Sequence, residues 1–263
     1  MRCDALFLET AERRPYKSRT RDRGVTCFAW PDGIRPVCCH AVNLNRQPIT
    51  HVIWDWNGTL LDDVSACVAS INRMLAKRSL PQIDQRRYRD VFGFPVKNYY
   101  LTLGFNMAAE DWPGMAREFH DFYAEEARTS VLRDGVVDLL DRLRRRGTPM
   151  SVLSASERSI LTNMLGARGI AGYFESICGL SDLYAHSKTE LGRELMAGIA
   201  GAGADVVLAG DTTHDHEVAC ELGCRCVLVE GGHQSGPRLR RCGCPVVSGV
   251  PALAGFFDLE DRV

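Results

Sequence analysis

The stretch His51-Val-Ile-Trp-Asp-Trp-Asn-Gly-Thr-Leu-Leu-Asp-Asp63 decides how the rest of the chain is read. A short apolar run, His51–Trp56, ends in the polar residues Asp55 and Asn57 and then a glycine turn. That pattern predicts a buried strand with chemistry at its carboxyl end. Trp56 alternates to the side of the strand opposite Asp55. It either walls the site or packs in the core, and the core reading is preferred. His51, at the strand's start, reads as structural.

Downstream, strands and helices alternate. Asp134–Arg146 is amphipathic, with Val136, Leu139, Leu140 and Leu143 on one face, and Gly147 stops it. Pro149–Leu153 reads as a second strand. Ser156 is placed to cap a helix whose apolar face is Ile160, Leu161, Met164 and Leu165. Phe174–Cys178 is a third strand, Lys188–Ile199 a helix and Asp205–Ala209 a fourth strand. Asp215–Leu222 is a helix, Cys226–Val229 a fifth strand and Pro245–Val247 a sixth. Near-continuous apolar strands between amphipathic helices predict an α/β fold, a doubly wound parallel sheet that binds ligands beyond the carboxyl ends of its strands.

Two segments break this rhythm. Residues 64–131 read as helical throughout: Val64–Arg78, Asp84–Phe92, Val96–Leu103 and Pro113–Arg128. They form an all-helical cap inserted after the first strand, between core segments 49–63 and 132–263. Asp62 is read as the cap of its first helix. Residues 1–48 show no sustained period and include the basic run Arg13–Arg23. They read as an irregular or poorly ordered extension rather than an interaction arm.

The chain has 263 residues, a net charge of -1 and a pI near 6.7. That balance gives no global pull toward nucleic acid or membrane. No apolar run reaches the roughly 18 residues that cross a bilayer, and the start lacks a secretory pattern. A cytoplasmic protein is expected, a monomer or homodimer. Eleven cysteines include Cys38-Cys39, Cys224-x-Cys226 and Cys242-x-Cys244, none with the spacing of a zinc site. They read as reduced, structural thiols, with Cys178 and Cys226 simply buried.

The strand ends converge on one crevice. Asp55 and Asn57 end the first strand, Ser154 the second, and Asp211 and Asp215 follow the fourth, with Lys188 opening the preceding helix. Three carboxylates suit a hard cation that keeps several waters, and magnesium fits best. A lysine and a hydroxyl opposite would hold phosphoryl oxygens, and the Gly58-Thr59 turn offers backbone N–H groups to the same anion. The sum is an attacking carboxylate, a metal and a clamp for developing charge.

With those residues in place, His51 to about Asp258 resembles the haloacid dehalogenase-like superfamily, closest to its phosphoglycolate-phosphatase-like members with a helical cap. Four motifs carry the resemblance: Asp55-Trp-Asn-Gly-Thr-Leu60, Ser154 in Ser151-Val-Leu-Ser-Ala-Ser156, Lys188 in His186-Ser-Lys-Thr-Glu190, and Gly210-Asp-Thr-Thr-His-Asp215. Each alone is weak; their order and spacing together are specific. The resemblance implies a magnesium-dependent phosphatase acting on a small phosphate ester. Asp55 would form an aspartyl-phosphate and ligate magnesium with the Asn57 carbonyl, Asp211 and Asp215. Gly58, Thr59, Ser154, Ala155 and Lys188 would meet the substrate's phosphoryl group. Lys97, in the cap's Phe92-Gly-Phe-Pro-Val-Lys97 loop, would reach an anionic part of the substrate or else stand on the surface. Tyr99 and Tyr100 line the pocket or the cap's own core.

One position departs from the family. Its phosphatases carry a second aspartate where this chain has Asn57, and an amide is neither a general acid nor a base. Three readings stay open: a phosphatase that is slow or takes a leaving group needing little protonation, a phosphotransferase or other chemistry, and a phosphate-binding module without catalysis. His186, His214 or His216 could assist, though the latter two equally suit a solvated helix start. Gly231–Gly236 reads as a loop without a phosphate motif.

Overall fold

The computed structural model describes residues 48–181, 188–199 and 205–259. The arm, Cys38-Cys39 and His186 lie outside the described residues. In chain order the described elements are β1 (His51–Trp54), β2 (Leu61–Asp62), α1 (Val64–Lys77), α2 (Gln85–Val91), α3 (Val96–Thr102) and α4 (Trp112–Glu126). Then come β3 (Val131–Leu132), α5 (Val136–Arg145), β4 (Met150–Glu157), α6 (Arg158–Ala167), β5 (Ser176–Leu180), α7 (Lys188–Ile199), β6 (Val206–Gly210), α8 (Thr213–Leu222), β7 (Arg225–Val229) and β8 (Val246–Val247), with short helical turns between and after.

Six strands form one sheet in the order β5-β4-β1-β6-β7-β8, every pair parallel. β1 lies near its centre, and Val52, Ile53 and Trp54 are all 0% exposed. The strands feed two apolar layers by alternation. Val52, Trp54, Val207 and Ala209 face the side covered by Val136, Leu139, Leu140 and Leu143 of α5 and Leu161 and Leu165 of α6. Ile53, Leu208 and Leu228 face Leu195 of α7 and Val218 and Ala219 of α8. This double burial is why the strands are apolar without a break. Trp56 is 0% exposed within the first layer, so the core reading holds. Gly147, with φ +73°, ends the α5 segment.

The helices between β2 and β3 make a separate apolar cluster, which includes Val64, Ile71, Met74, Leu75, Tyr88, Tyr99 and Tyr100. Tyr99 and Tyr100 therefore belong to the cap's core. Arg78 binds Glu110 and Glu118 and ties α1 to α4.

Several expectations need correction. The cap hangs on a second, two-stranded sheet, with Leu61 opposite Leu132 and Asp62 opposite Val131. Two-residue strands carry too little pattern to be seen in sequence. Asp62 is thus a strand residue, and Asp63 stands at the N-terminus of α1 without a side-chain capping bond. β4 continues past Leu153 to Glu157 through a register shift. Glu157, not Ser156, caps α6 by accepting from the Ser159 and Ile160 amides. Ile160 is exposed, because only part of the α6 stripe meets the sheet. Cys178 is half-buried while Cys226 is buried.

Candidate active site

Asp55 follows β1 directly, and its N–H donates to the Ala209 carbonyl at 2.9 Å, which extends the β1–β6 ladder by one rung. Asp211 lies one residue beyond β6, on the neighbouring strand. Asp215 sits in the first turn of α8, where a capping box fixes it: the Thr212 hydroxyl accepts from its N–H, and its carboxylate accepts from the Thr212 N–H. Carboxylate oxygens of Asp55, Asp211 and Asp215 lie within 4.8 Å of one another, all buried.

Lys188 enters from α7 and donates to Asp55 at 2.5 Å and to Asp215 at 2.6 Å. Thr59 is 0% exposed, and its hydroxyl lies 3.1 Å from an Asp55 oxygen and 3.0 Å from an Asp211 oxygen. Ser154 is buried two residues past the last β1–β4 register pair, at the same sheet end, and its Oγ accepts from the Ser156 N–H at 3.1 Å. Ala155 beside it is half-buried.

The electrostatics follow from three buried carboxylates and one ammonium, Lys188, which pairs with Asp55 and Asp215 but not with Asp211. Burial, and then Asp215 and Asp211, hold the Asp55 carboxyl up at about 7, with Lys188 acting against them. Burial also raises Asp211. Asp215 is lowered, because Lys188 and Thr212 outweigh its burial. Lys188 is raised by its two carboxylate partners despite burial. A buried excess of negative charge with all-oxygen donors fits a hard divalent cation, which Asp55, Asp211 and Asp215 could hold.

A second polar cluster adjoins the first and was not foreseen. Asn57 donates through Nδ2 to Asp63 at 2.7 Å and to the Tyr123 hydroxyl at 2.8 Å, while its Oδ1 accepts from Ser156 at 2.7 Å. Asp63, 0% exposed, also accepts from Tyr123 at 2.7 Å and from the Gly58 N–H at 2.9 Å. The His233 ring is 3.3 Å from Asp63 and bonds the Tyr88 hydroxyl at 2.9 Å, and its backbone N–H donates to Asp211. Burial would lower His233, but Asp63, and then Asp211 and Asp55, push it up to about 9. His233 and its partners hold the Asp63 carboxyl below the usual carboxylate range in spite of burial.

The two clusters meet at Gly58. Its φ is +74°, and a Cβ there would strike the Asp211 carboxylate and come within 2.5 Å of the His233 ring. Its N–H also lies 3.0 Å from the Leu61 carbonyl, and so is engaged inside the protein rather than offered to an anion. The Thr59 hydroxyl is likewise spent on carboxylates.

The cap loop is tied to the fourth motif. Gln234 accepts from the Thr213 N–H at 2.9 Å and donates to the Phe92 carbonyl at 3.1 Å, and Phe94 packs on the His214 ring at 4.6 Å. His216 lies beside Cys220. His51 is buried against Ser151, as a structural histidine would be. Lys97 is not brought into this arrangement: it is exposed, with its ammonium 5.1 Å from the Trp112 ring.

The missed residues are Asp63, Tyr88, Tyr123, Ser156 and His233. One signal pointed to His233: it follows β7, and loops after parallel strands converge on the same crevice. Tyr88 and Tyr123 come from the cap helices, Ser156 from the end of β4 and Asp63 from the turn before α1, and no spacing reveals that they meet.

The family described as haloacid dehalogenase-like hydrolase matches residues 52–229. The chain belongs to that family. It is an enzyme of the hydrolase class, with the family's parallel core and helical cap. The phosphoglycolate phosphatase of Caulobacter vibrioides is 30% identical over 71% of this chain and 81% of its own. A haloacid dehalogenase-like hydrolase from Streptococcus pneumoniae superposes with a TM-score of 0.68 at 21% identity, covering 79% of this chain and 98% of its own. Mycobacterium tuberculosis protein tyrosine kinase A also gives 0.68 at 21% identity, covering 81% and 99%.

Proposed function

We propose that this enzyme is a magnesium-dependent phosphatase that hydrolyses a small phosphorylated metabolite through an aspartyl-phosphate on Asp55. One observation carries the reading: the Asp55 carboxylate lies against the Lys188 ammonium, with Asp211 and Asp215 alongside. Relatives called phosphoglycolate phosphatase support the class of reaction.

On this reading Asp55, Asp211, Asp215 and the Asn57 carbonyl hold the cation. When bound, the cation supplies charge neutralisation at the phosphoryl oxygens. Lys188 orients Asp55 for attack, and Lys188 and Ser154 steady the transferring group. Residues 64–131 form the cap domain over core segments 49–63 and 132–263. Closed, the cap excludes water from the reacting phosphorus and limits substrates to small esters.

A second reading, a phosphotransferase, is favoured by Asn57, which cannot deprotonate the water that hydrolyses the intermediate. A fold neighbour named as a tyrosine kinase is consistent with it. One experiment tests both. The protein is incubated with magnesium and a panel of sugar, nucleotide and short-acid phosphates. Inorganic phosphate release that is lost in Asp55→Asn supports the phosphatase. Acid-stable, hydroxylamine-labile labelling of Asp55 that discharges only to an added alcohol supports the phosphotransferase. Undiminished turnover in Asp55→Asn overturns both.

A further inference from the structure

We propose that the substrate is an acyl or aryl phosphate, whose leaving group departs as a stable anion without taking a proton from the protein. This rests on the phosphatase reading and narrows its substrate class.

An alkyl phosphate releases a strongly basic alkoxide, so its cleavage calls for a general acid at the leaving oxygen. Such help is typically worth about 10²–10⁴ in rate. A carboxylate or phenolate needs none. The site therefore declares its substrate by whether an acid is free to serve.

Among the described residues the polar groups bonded into the two clusters are committed elsewhere, and His214 beside them is held by Glu217 and the Phe94 ring. Asn57 has no exchangeable acid proton, and both ends of its amide are spent on Asp63, Tyr123 and Ser156. Asp63 is 0% exposed and enclosed by donors from Asn57, Gly58, Tyr123 and His233. Both His233 ring nitrogens are occupied, one by Tyr88 and one by Asp63. Lys188 is held between Asp55 and Asp215. Ser154 and Ser156 are alcohols, as weakly acidic as the alcohol that a departing alkoxide would become.

Asp63 also shapes what residue 57 can be, since a carboxyl there would stay ionised only against repulsion. An aspartate at 57 would set a second carboxylate where the amide now lies 2.7 Å from Asp63. Asn57 and Asp63 therefore form a unit, an amide in front and a carboxylate behind. The cap hydroxyl of Tyr123 joins them.

The chemistry balances without an acid. An Asp55 oxygen attacks phosphorus, the Asp55 O–P bond forms, and the P–O bond to the leaving group breaks. Its electron pair stays on the departing carboxylate or phenolate. Water then attacks the same phosphorus and cleaves the Asp55 O–P bond. Its hydrogens pass to inorganic phosphate and solvent, and Asp55 returns as carboxylate.

The test is the leaving-group dependence of kcat/KM, which reports the first step, on ring-substituted phenyl phosphates. Acetyl phosphate and two alkyl phosphates, glycerol phosphate and phosphoglycolate, complete the set. A steep dependence is expected, with the alkyl esters about 10²–10⁴-fold below acetyl phosphate. A flat series, with alkyl esters within tenfold of the aryl ones, overturns the proposal and leaves the phosphatase reading intact. No magnesium-dependent turnover of any compound overturns the phosphatase reading itself. The double variant Asn57→Asp/Asp63→Asn keeps one carboxylate in the unit and moves it forward. It is expected to flatten the series by raising the alkyl esters. His186→Ala and His214→Ala should leave the slope unchanged, and a steeper slope in either identifies a hidden acid and overturns the proposal.

Discussion

Around Asp55 three carboxylates gather with one ammonium, which pairs with two of them; around Asp63 one carboxylate is met by five donors, from Asn57, Gly58, Cys67, Tyr123 and His233. The two clusters touch across Gly58, yet their electrostatics are opposite. The first holds unbalanced negative charge inside a sheet crevice, which a cation could offset. The second is a closed ion pair, Asp63 with His233, whose polar groups are satisfied by the protein itself. A site built to react keeps groups in need of a partner, whereas a site built to position satisfies all of them. Gly58 lets both exist in so little space, because no side chain intervenes.

The largest expected effect breaks the first cluster. Lys188→Met leaves three buried carboxylates facing one another. Turnover should fall by at least about 10³, and stability by about 3–5 kcal/mol. Added magnesium should restore part of the stability and little of the activity, as read by urea denaturation with and without EDTA. Asp63→Ala breaks the second cluster and leaves a buried cation unpaired, again at about 3–5 kcal/mol. Here magnesium should restore nothing. Equal rescue of both variants would erase the distinction between the clusters.

The pH dependence sharpens the same contrast. His233 is raised in the folded state to about 9. Its contribution is fully present below the unfolded value, near 6.5, and is lost as pH rises through 9. The stability difference between the wild type and His233→Gln should therefore shrink by on the order of 3 kcal/mol from pH 6.5 to beyond 9. A difference that grows over this range would show that His233 is not the cationic partner of Asp63. The smallest effect is expected from Tyr123→Phe, which removes one hydroxyl from Asp63 and Asn57 at about 1–3 kcal/mol. Its KM should rise more than its kcat falls, since the hydroxyl holds the cap and not the reacting atoms.

The strands and the first cluster were legible because both obey local rules. A β1 residue buried on either face must be apolar, and the residues after β1 and β6 must lie at one sheet end. Asp55, Asp211, Asp215 and Lys188 could therefore be placed together from spacing alone. Finer assignments failed where neighbours in sequence compete for one role. Asp62 and Asp63 are both acidic, and Ser156 and Glu157 both suit a helix cap; only backbone geometry separated them. The Gly58 and Thr59 backbone N–H groups read as donors to an anion, but the Gly58 N–H is turned to Asp63 and Leu61. Lys97 lay on a suggestive loop, and the fold turned it onto Trp112.

The sequence by itself determined a parallel α/β core, a helical insert after β1 and the polar cluster around Asp55, because apolar period and strand-end position are local properties. Tertiary structure alone decided what the amide at residue 57 does. Its partners come from α4, from the start of α1 and from the end of β4, and nothing in their spacing along the chain announces that they meet. Asn57 looked like a missing acid. In the folded protein it is one half of a hydrogen-bonded pair with Asp63, formed because a buried carboxylate must gather donors from wherever the packing brings them.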